Sequence, residues 1–286
     1  MLETIFVESD DFCKQLEKIT LAKLLGNSKK RNKSCRLTSS EVMTICIYYH
    51  YSGYKTFKDF YTKHVLKYMQ KDFNGLVSYT RFVELKQEIA LALYLFLRLK
   101  RMGQCNGLSI IDSFPIKSCH VRRASSHKTF KKLASKGKSS IGWFYGFKVH
   151  LIINSFGQII NFDITSGNVA DNNKKLLLSL TKNIYGKMCG DRGYIGRILF
   201  FLKERGIRFF HKIKKNMKNI LMDLEDKLFL RKRGLIETVN GLLKESFSIE
   251  HTRHRSLSGF FSHICSAMIA FTFRKAPIQS EFKFIS

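Results

Sequence analysis

The sequence predicts a mixed α/β sheet flanked by helices and preceded by an all-α N-terminal domain. Two observations carry that prediction. Across residues 12–102 apolar side chains recur at helical spacing. From the glycines at 103 and 107 onward, short β-branched runs bounded by turn residues alternate with helical stretches. The expected domains are residues 1–106, helical; 107–275, α/β; and 276–286, a tail.

In the first domain, Leu16, Ile19, Leu24 and Leu25 define an amphipathic helix that Gly26-Asn27-Ser28 ends. The basic cluster at residues 29–33 follows, either as a solvated run or as a phosphate contact. Thr38-Ser39-Ser40-Glu41 reads as a capping box, in which hydroxyl and carboxylate satisfy free amides of the first turn. It opens a helix through Val42, Ile45, Cys46 and Tyr49. Further helices fall around residues 57–68 and 79–99, and the second of these is apolar nearly all round, so it is core. The domain is either a structural bundle or a DNA-binding one with helix-turn-helix geometry.

The second domain opens on Leu108-Ser-Ile-Ile-Asp112-Ser113-Phe-Pro115, a buried strand that Ser113 and Pro115 are expected to stop, with Asp112 at its tip. An acid on an apolar strand is costly to bury without a positive neighbour. No other acid occurs between Ser113 and Asn161, whereas Lys117, Arg122, Arg123, Lys128, Lys131, Lys132, Lys136, Lys138 and Lys148 all do. This basic stretch reads as a loop to about residue 140. Gly137-Lys138-Ser139 lacks the spacing of a P-loop, and Cys119, His120 and His127 lack the CxxC of common zinc sites.

Residues 144–154 and 159–165 then form a hairpin around Ser155-Phe-Gly157, and Asn168 or Asp171 caps a helix through Leu180. Residues 186–191 are a short strand ending on Asp191, followed by the tight Arg192-Gly193-Tyr194 turn. A helix at 198–205, a strand at 207–213, a helix at 228–246 and an apolar helix at 257–274 complete the chain.

Charge narrows the function. Fifty Lys and Arg against 22 Asp and Glu give +28, which calls for an anionic partner, nucleic acid before membrane. No apolar run is long enough to span a bilayer, and the acidic N-terminus lacks the basic region of a signal peptide. Seven cysteines without paired spacing suit reduced thiols in the cytoplasm.

Asp112 and Asp191 both close short strands, so parallel pairing of those strands brings them together. Arg233, Glu237, Asn240 and Lys244 lie at i−4, i, i+3 and i+7, which lines them along one helical face. Three carboxylates with open positions suit Mg2+, and two such ions clamp the attacking and leaving oxygens of a phosphoryl displacement. Mn2+ is able to substitute. Asp163 and Asp171 are competing acids: Asp163 lies on the second hairpin strand, and capping accounts for Asp171.

Ile110-Ile-Asp112-Ser-Phe-Pro115, Cys189-Gly-Asp191-Arg-Gly-Tyr194 and Arg233-x3-Glu237-x6-Lys244 resemble the three catalytic motifs of bacterial insertion-sequence transposases of the DDE type. Trp143-Phe-Tyr-Gly-Phe-Lys148 is similar to the strand that follows the loop in those enzymes. The resemblance spans residues 108–274 and implies an RNase H-like fold with Asp112, Asp191 and Glu237 as catalytic metal ligands. It also implies Arg233 and Lys244 as DNA-contacting or end-positioning residues, and Arg233 could instead pair with Glu237 and hold its orientation. The charge of the basic loop itself, with Arg122, Arg123, Lys128, Lys131 and Lys132, leads it to track the DNA backbone. Leu230 stands where the family commonly has a Tyr three positions before the Arg. The expected protein is bacterial, cytoplasmic and nucleoid-associated, and works as a homodimer on paired element ends and target DNA. The rivals are a nuclease of the same fold that does not join strands, and a basic DNA-binding protein without catalysis.

Overall fold

A computed structural model describes residues 1–23, 36–139, 142–194, 196, 198–211, 223–250 and 253–274. The basic cluster at 29–33 lies outside the described residues. The chain forms two compact units, one of Met1–Arg101 with Leu243–Phe273, the other of Met102–Leu242.

The first unit is all-helical. α1 (Leu2–Lys23) packs against α2 (Ser39–Tyr48). The expected capping box is present: the Thr38 hydroxyl accepts from the Glu41 amide at 3.2 Å, and the Glu41 carboxylate accepts from the Thr38 amide at 2.7 Å. α3 (Phe57–Asp59) and α4 (Leu66–Tyr68) are joined by a π-wound segment, Phe60–Val65, and α5 (Tyr79–Glu88) and α6 (Ala90–Phe96) follow. A nearly continuous buried helix, Leu257–Thr272, completes the unit. Arg101 fastens its two ends. Its guanidinium is 2.6 Å from Glu8, donates to the Thr272 carbonyl at 2.9 Å, and lies 3.7 Å from the Phe273 ring. Among the described residues, no helix is long and apolar enough to cross a membrane.

The second unit is built on one sheet of β1 (Leu108–Cys119), β2 (Ser135–Ser139), β3 (Gly142–Asn154), β4 (Ile159–Ser166), β5 (Gly186–Gly190) and β6 (Ile207–Phe210). β3 pairs antiparallel with β1 on one side and with β2 and β4 on the other. β1, β5 and β6 run parallel. Among the described residues, four helices accompany the sheet: α7 (Lys174–Leu180), α8 (Ile198–Glu204), α9 (Leu224–Arg231) and α10 (Gly234–Glu245), the last belonging here as far as Leu242.

Alternation along each strand decides which helix covers which face. Ile111, Ile152, Met188 and Ile207 form a core with Leu176, Leu177 and Leu180 of α7 and Leu202 of α8. Lys187, Arg208 and Phe210 point the other way, toward α9. There Phe210 meets Phe229 edge-on at 6.1 Å, and the fully buried Asp226 lies 2.7 Å from Lys187 and 3.3 Å from Arg208.

Four local expectations need correction. β1 continues through Ser113 and Pro115 to Cys119, because β5 ends opposite Ile111. Past that point β1 is paired on one side only, where a missing proline amide is tolerated. Lys136 and Lys138 lie on a short strand, β2, within the stretch read as loop. α7 is capped by Asn173, whose side chain accepts from the Leu176 amide at 3.1 Å, and not by Asn168 or Asp171. The single helix expected over 228–246 is two, broken at Lys232-Arg233 just before Gly234, a poor helix former.

Candidate active site

Asp112 and Asp191 immediately follow the last register pair between β1 and β5, Ile111 with Gly190. The absence of a side chain at Gly190 permits this approach: a Cβ there would lie 2.7 Å from Ile111 Cγ2. The two carboxylates are therefore neighbours at the point where β1 and β5 stop pairing. They differ in environment. Asp191 is largely exposed and accepts from the Arg192 amide at 2.7 Å. Burial pushes the Asp112 carboxyl up to about 6, with the Asp191 and Asp171 charges adding and the Ser113 amide and Arg233 opposing.

α10 supplies the third acid on the face its spacing predicts. Arg233 Nη1 is 3.0 Å from Asp191 Oδ1, and its Nη2 is 3.0 Å from Glu237 Oε1. One turn on, Asn240 Nδ2 donates to Asp112 Oδ2 at 2.9 Å. The three acids named from the sequence are thus linked through one guanidinium and one amide. Lys244 lies in the helical unit, 3.1 Å from Glu250.

Asp171, set aside in the sequence as a helix cap, belongs to this cluster. Its Oδ1 accepts from the Ser113 hydroxyl at 3.0 Å and from Lys148 Nζ at 2.9 Å. The signal was available in Lys148 and His150, two residues apart and so on one face of β3, the latter opposite Ser113 in register. Asp163 accepts from the Ile164 amide at 2.8 Å.

Arg122 and Arg123 occupy a 3-10 turn, Val121–Arg123, Lys128 lies in the irregular stretch after it, and Lys131 and Lys132 lie in the turn that follows. All five are exposed. His120 Nδ1 accepts from the Arg122 amide at 3.3 Å, and His127 packs on Phe130 and Tyr145. The zinc ligand set weighed for Cys119, His120 and His127 does not form.

Among the described residues, no three His, Cys, Asp or Glu stand close enough to hold one metal ion; Arg233 stands between Asp191 and Glu237. The donor chemistry nonetheless fits a hard dication. The acids are oxygen ligands, the charge of Asp191 opposes ionisation of Asp112, and Asn240 Oδ1 is buried with no hydrogen-bond partner among the described residues.

The mixed sheet and the acids gathered where β1 and β5 stop pairing define an α/β protein with a clustered carboxylate site. The chain belongs to the DDE transposase domain family: the family model described as "Transposase DDE domain" matches residues 102–257, more than half of the sequence. No curated protein matches. A solved structure, the Mos1 strand transfer complex, is similar at 9% identity and a TM-score of 0.26, covering 85% of this chain and 88% of that one.

Proposed function

We propose that this chain is a transposase that cuts DNA at the terminal inverted repeats of its own insertion sequence and joins the 3′ ends to target DNA. One observation carries the reading: in a family member with charge +28, Arg233, just before α10, and Asn240 on it join Asp191 after β5 and Asp112 in β1 to the helix that carries Glu237. Asp112, Asp191 and Glu237 would hold Mg2+, in two ions, with Mn2+ as a substitute. When bound, the metal supplies a lowered water pKa and charge neutralisation at phosphorus. The chain's own residues do the rest. Asn240 orients the Asp112 carboxylate, Arg233 holds Asp191 and Glu237 to each other, and Arg122, Arg123, Lys128, Lys131 and Lys132 track the DNA backbone. Arg233 and Lys244 are further DNA contacts. Cleavage and joining are both in-line displacements, so one site serves both.

The helical unit contributes end binding, and two copies act on paired ends. The protein works in the bacterial cytoplasm at the nucleoid. A plasmid target assay tests the joining step. A labelled duplex carrying sequence from the gene's flank should become covalently joined to plasmid in Mg2+, whereas a nuclease of the same class would release cut ends alone. One feature favours a second reading, a DNA-binding protein without catalysis: the Arg233 guanidinium stands between two of the acids. That reading predicts end binding with no metal-dependent cleavage.

A further inference from the structure

Behind the acid cluster lies a second carboxylate with partners of its own. Asp171 sits in the segment that precedes the Asn173 cap of α7, 28% exposed. Its Oδ1 takes two donors, the Ser113 hydroxyl at 3.0 Å and the Lys148 ammonium at 2.9 Å. The Lys148 side chain is only 12% exposed, so the pair is shielded from solvent. His150, fully buried, places Nδ1 3.8 Å from the same oxygen while its Nε2 lies 2.9 Å from the Thr165 hydroxyl. On the other side the carboxylate lies against the turn after β5: a Cβ built on Gly193 would be 3.2 Å from Asp171 Oδ2.

Ser113 is the residue after Asp112, and Gly193 is two residues after Asp191. Asp171 therefore touches both segments that carry the catalytic aspartates, and it is fastened to β3, which pairs with β1 along its length. A carboxylate whose oxygen already holds an ammonium and a hydroxyl is poorly placed to ligate a cation, but well placed to fix the groups around it. We propose that Asp171 is a positioning residue that braces Asp112, through Ser113, against the Asp191 turn, and is itself anchored by Lys148. This rests on the reading of Asp112 and Asp191 as metal ligands.

The test uses the full chain, with Asp171→Asn, Ser113→Ala and Asp112→Asn beside the unaltered protein. Mn2+ binding is followed by loss of the free-ion electron paramagnetic resonance signal. Single-turnover cleavage and affinity are measured on a duplex from the gene's flank. Asp171→Asn should retain its circular dichroism spectrum and DNA affinity, while Mn2+ affinity and the cleavage rate each fall about 10- to 100-fold. A purely structural role would not split rate from DNA affinity in this way. Should Asp171→Asn fail to fold, Ser113→Ala removes one hydrogen bond to Asp171 and should lower Mn2+ affinity by about 3- to 10-fold. Unchanged Mn2+ binding and cleavage in Asp171→Asn, beside loss of both in Asp112→Asn, overturns this inference alone. Loss in Asp171→Asn as complete as in Asp112→Asn also overturns it, since Asp171 would then be a ligand. If Asp112→Asn binds Mn2+ and cleaves like the unaltered protein, the metal-ligand reading falls and this inference with it.

Discussion

The side-chain amide of Asn240 donates to the carboxylate of Asp112 at 2.9 Å, joining α10 to the middle of β1 across 128 positions of sequence. Asp112 is mostly buried, so its charge depends on the few donors that reach it.

Asn240→Ala leaves Asp112 without that donor. The expected cost is about 1–3 kcal/mol of stability, read by urea denaturation at pH 8, because a buried acceptor loses its partner. Cleavage should fall about 10- to 100-fold, as for other residues that orient a ligand.

Asp112 itself opposes folding at neutral pH. Its carboxyl is raised from 3.8 to about 6 in the folded chain, chiefly by burial. The folded state therefore binds the proton more tightly than the unfolded state. Its stabilising contribution is full below about pH 4 and is lost as pH rises through 6. Asp112→Asn should accordingly be more stable than the unaltered protein at pH 8, by about 1–3 kcal/mol, and should match it near pH 4. Denaturation curves at the two pH values check the sign.

The helical unit carries the opposite dependence. His50 and His254 each pack at a tilt against His263, with ring centroids 4.9 and 5.0 Å apart, beside the buried Lys86. Burial drives His50 down to about 3, and burial with the neighbouring charges holds His254 and His263 well below the usual histidine range. Unfolding then takes up protons. The stability they contribute is present above about pH 6.5 and is lost as pH falls below it. The melting temperature should drop between pH 7 and pH 5, and His263→Phe should flatten that slope.

Asp226 tests what holds α9 to the sheet. Lys187→Met strands a fully buried carboxylate with only Arg208, itself 65% exposed, at 3.3 Å. That should cost about 2–4 kcal/mol. Asp226→Leu removes the buried charge and should cost markedly less. Chemical denaturation of both variants separates a stranded charge from lost packing.

Much of this arrangement is legible in the sequence because its signals are local. The apolar run at the start of β1 leads into Asp112, the short strand read at residues 186–191 leads into Asp191, and i, i+4 spacing puts Arg233 beside Glu237. What escaped depends on tertiary pairing. Pro115 looks like a strand terminator until β5 is seen to stop opposite Ile111, leaving β1 with one partner. Asp171 looks like a cap because Asp171-Asn172-Asn173 offers several capping side chains. Only the chain path shows that Asn173 takes the role and frees Asp171 for Lys148. That Leu257–Thr272 packs with the N-terminal helices could not be read from an apolar helix whose partners lie more than 150 positions away.

The most direct measurement is metal-dependent cleavage of a duplex from the gene's flank by the unaltered protein, Asp112→Asn, Asp191→Asn and Glu237→Gln, with DNA binding measured in parallel. The prediction is that all four bind the duplex and only the unaltered protein releases a 3′-hydroxyl end in Mg2+. Cleavage by any of the three variants at the unaltered rate would contradict the assignment of these acids to the reaction.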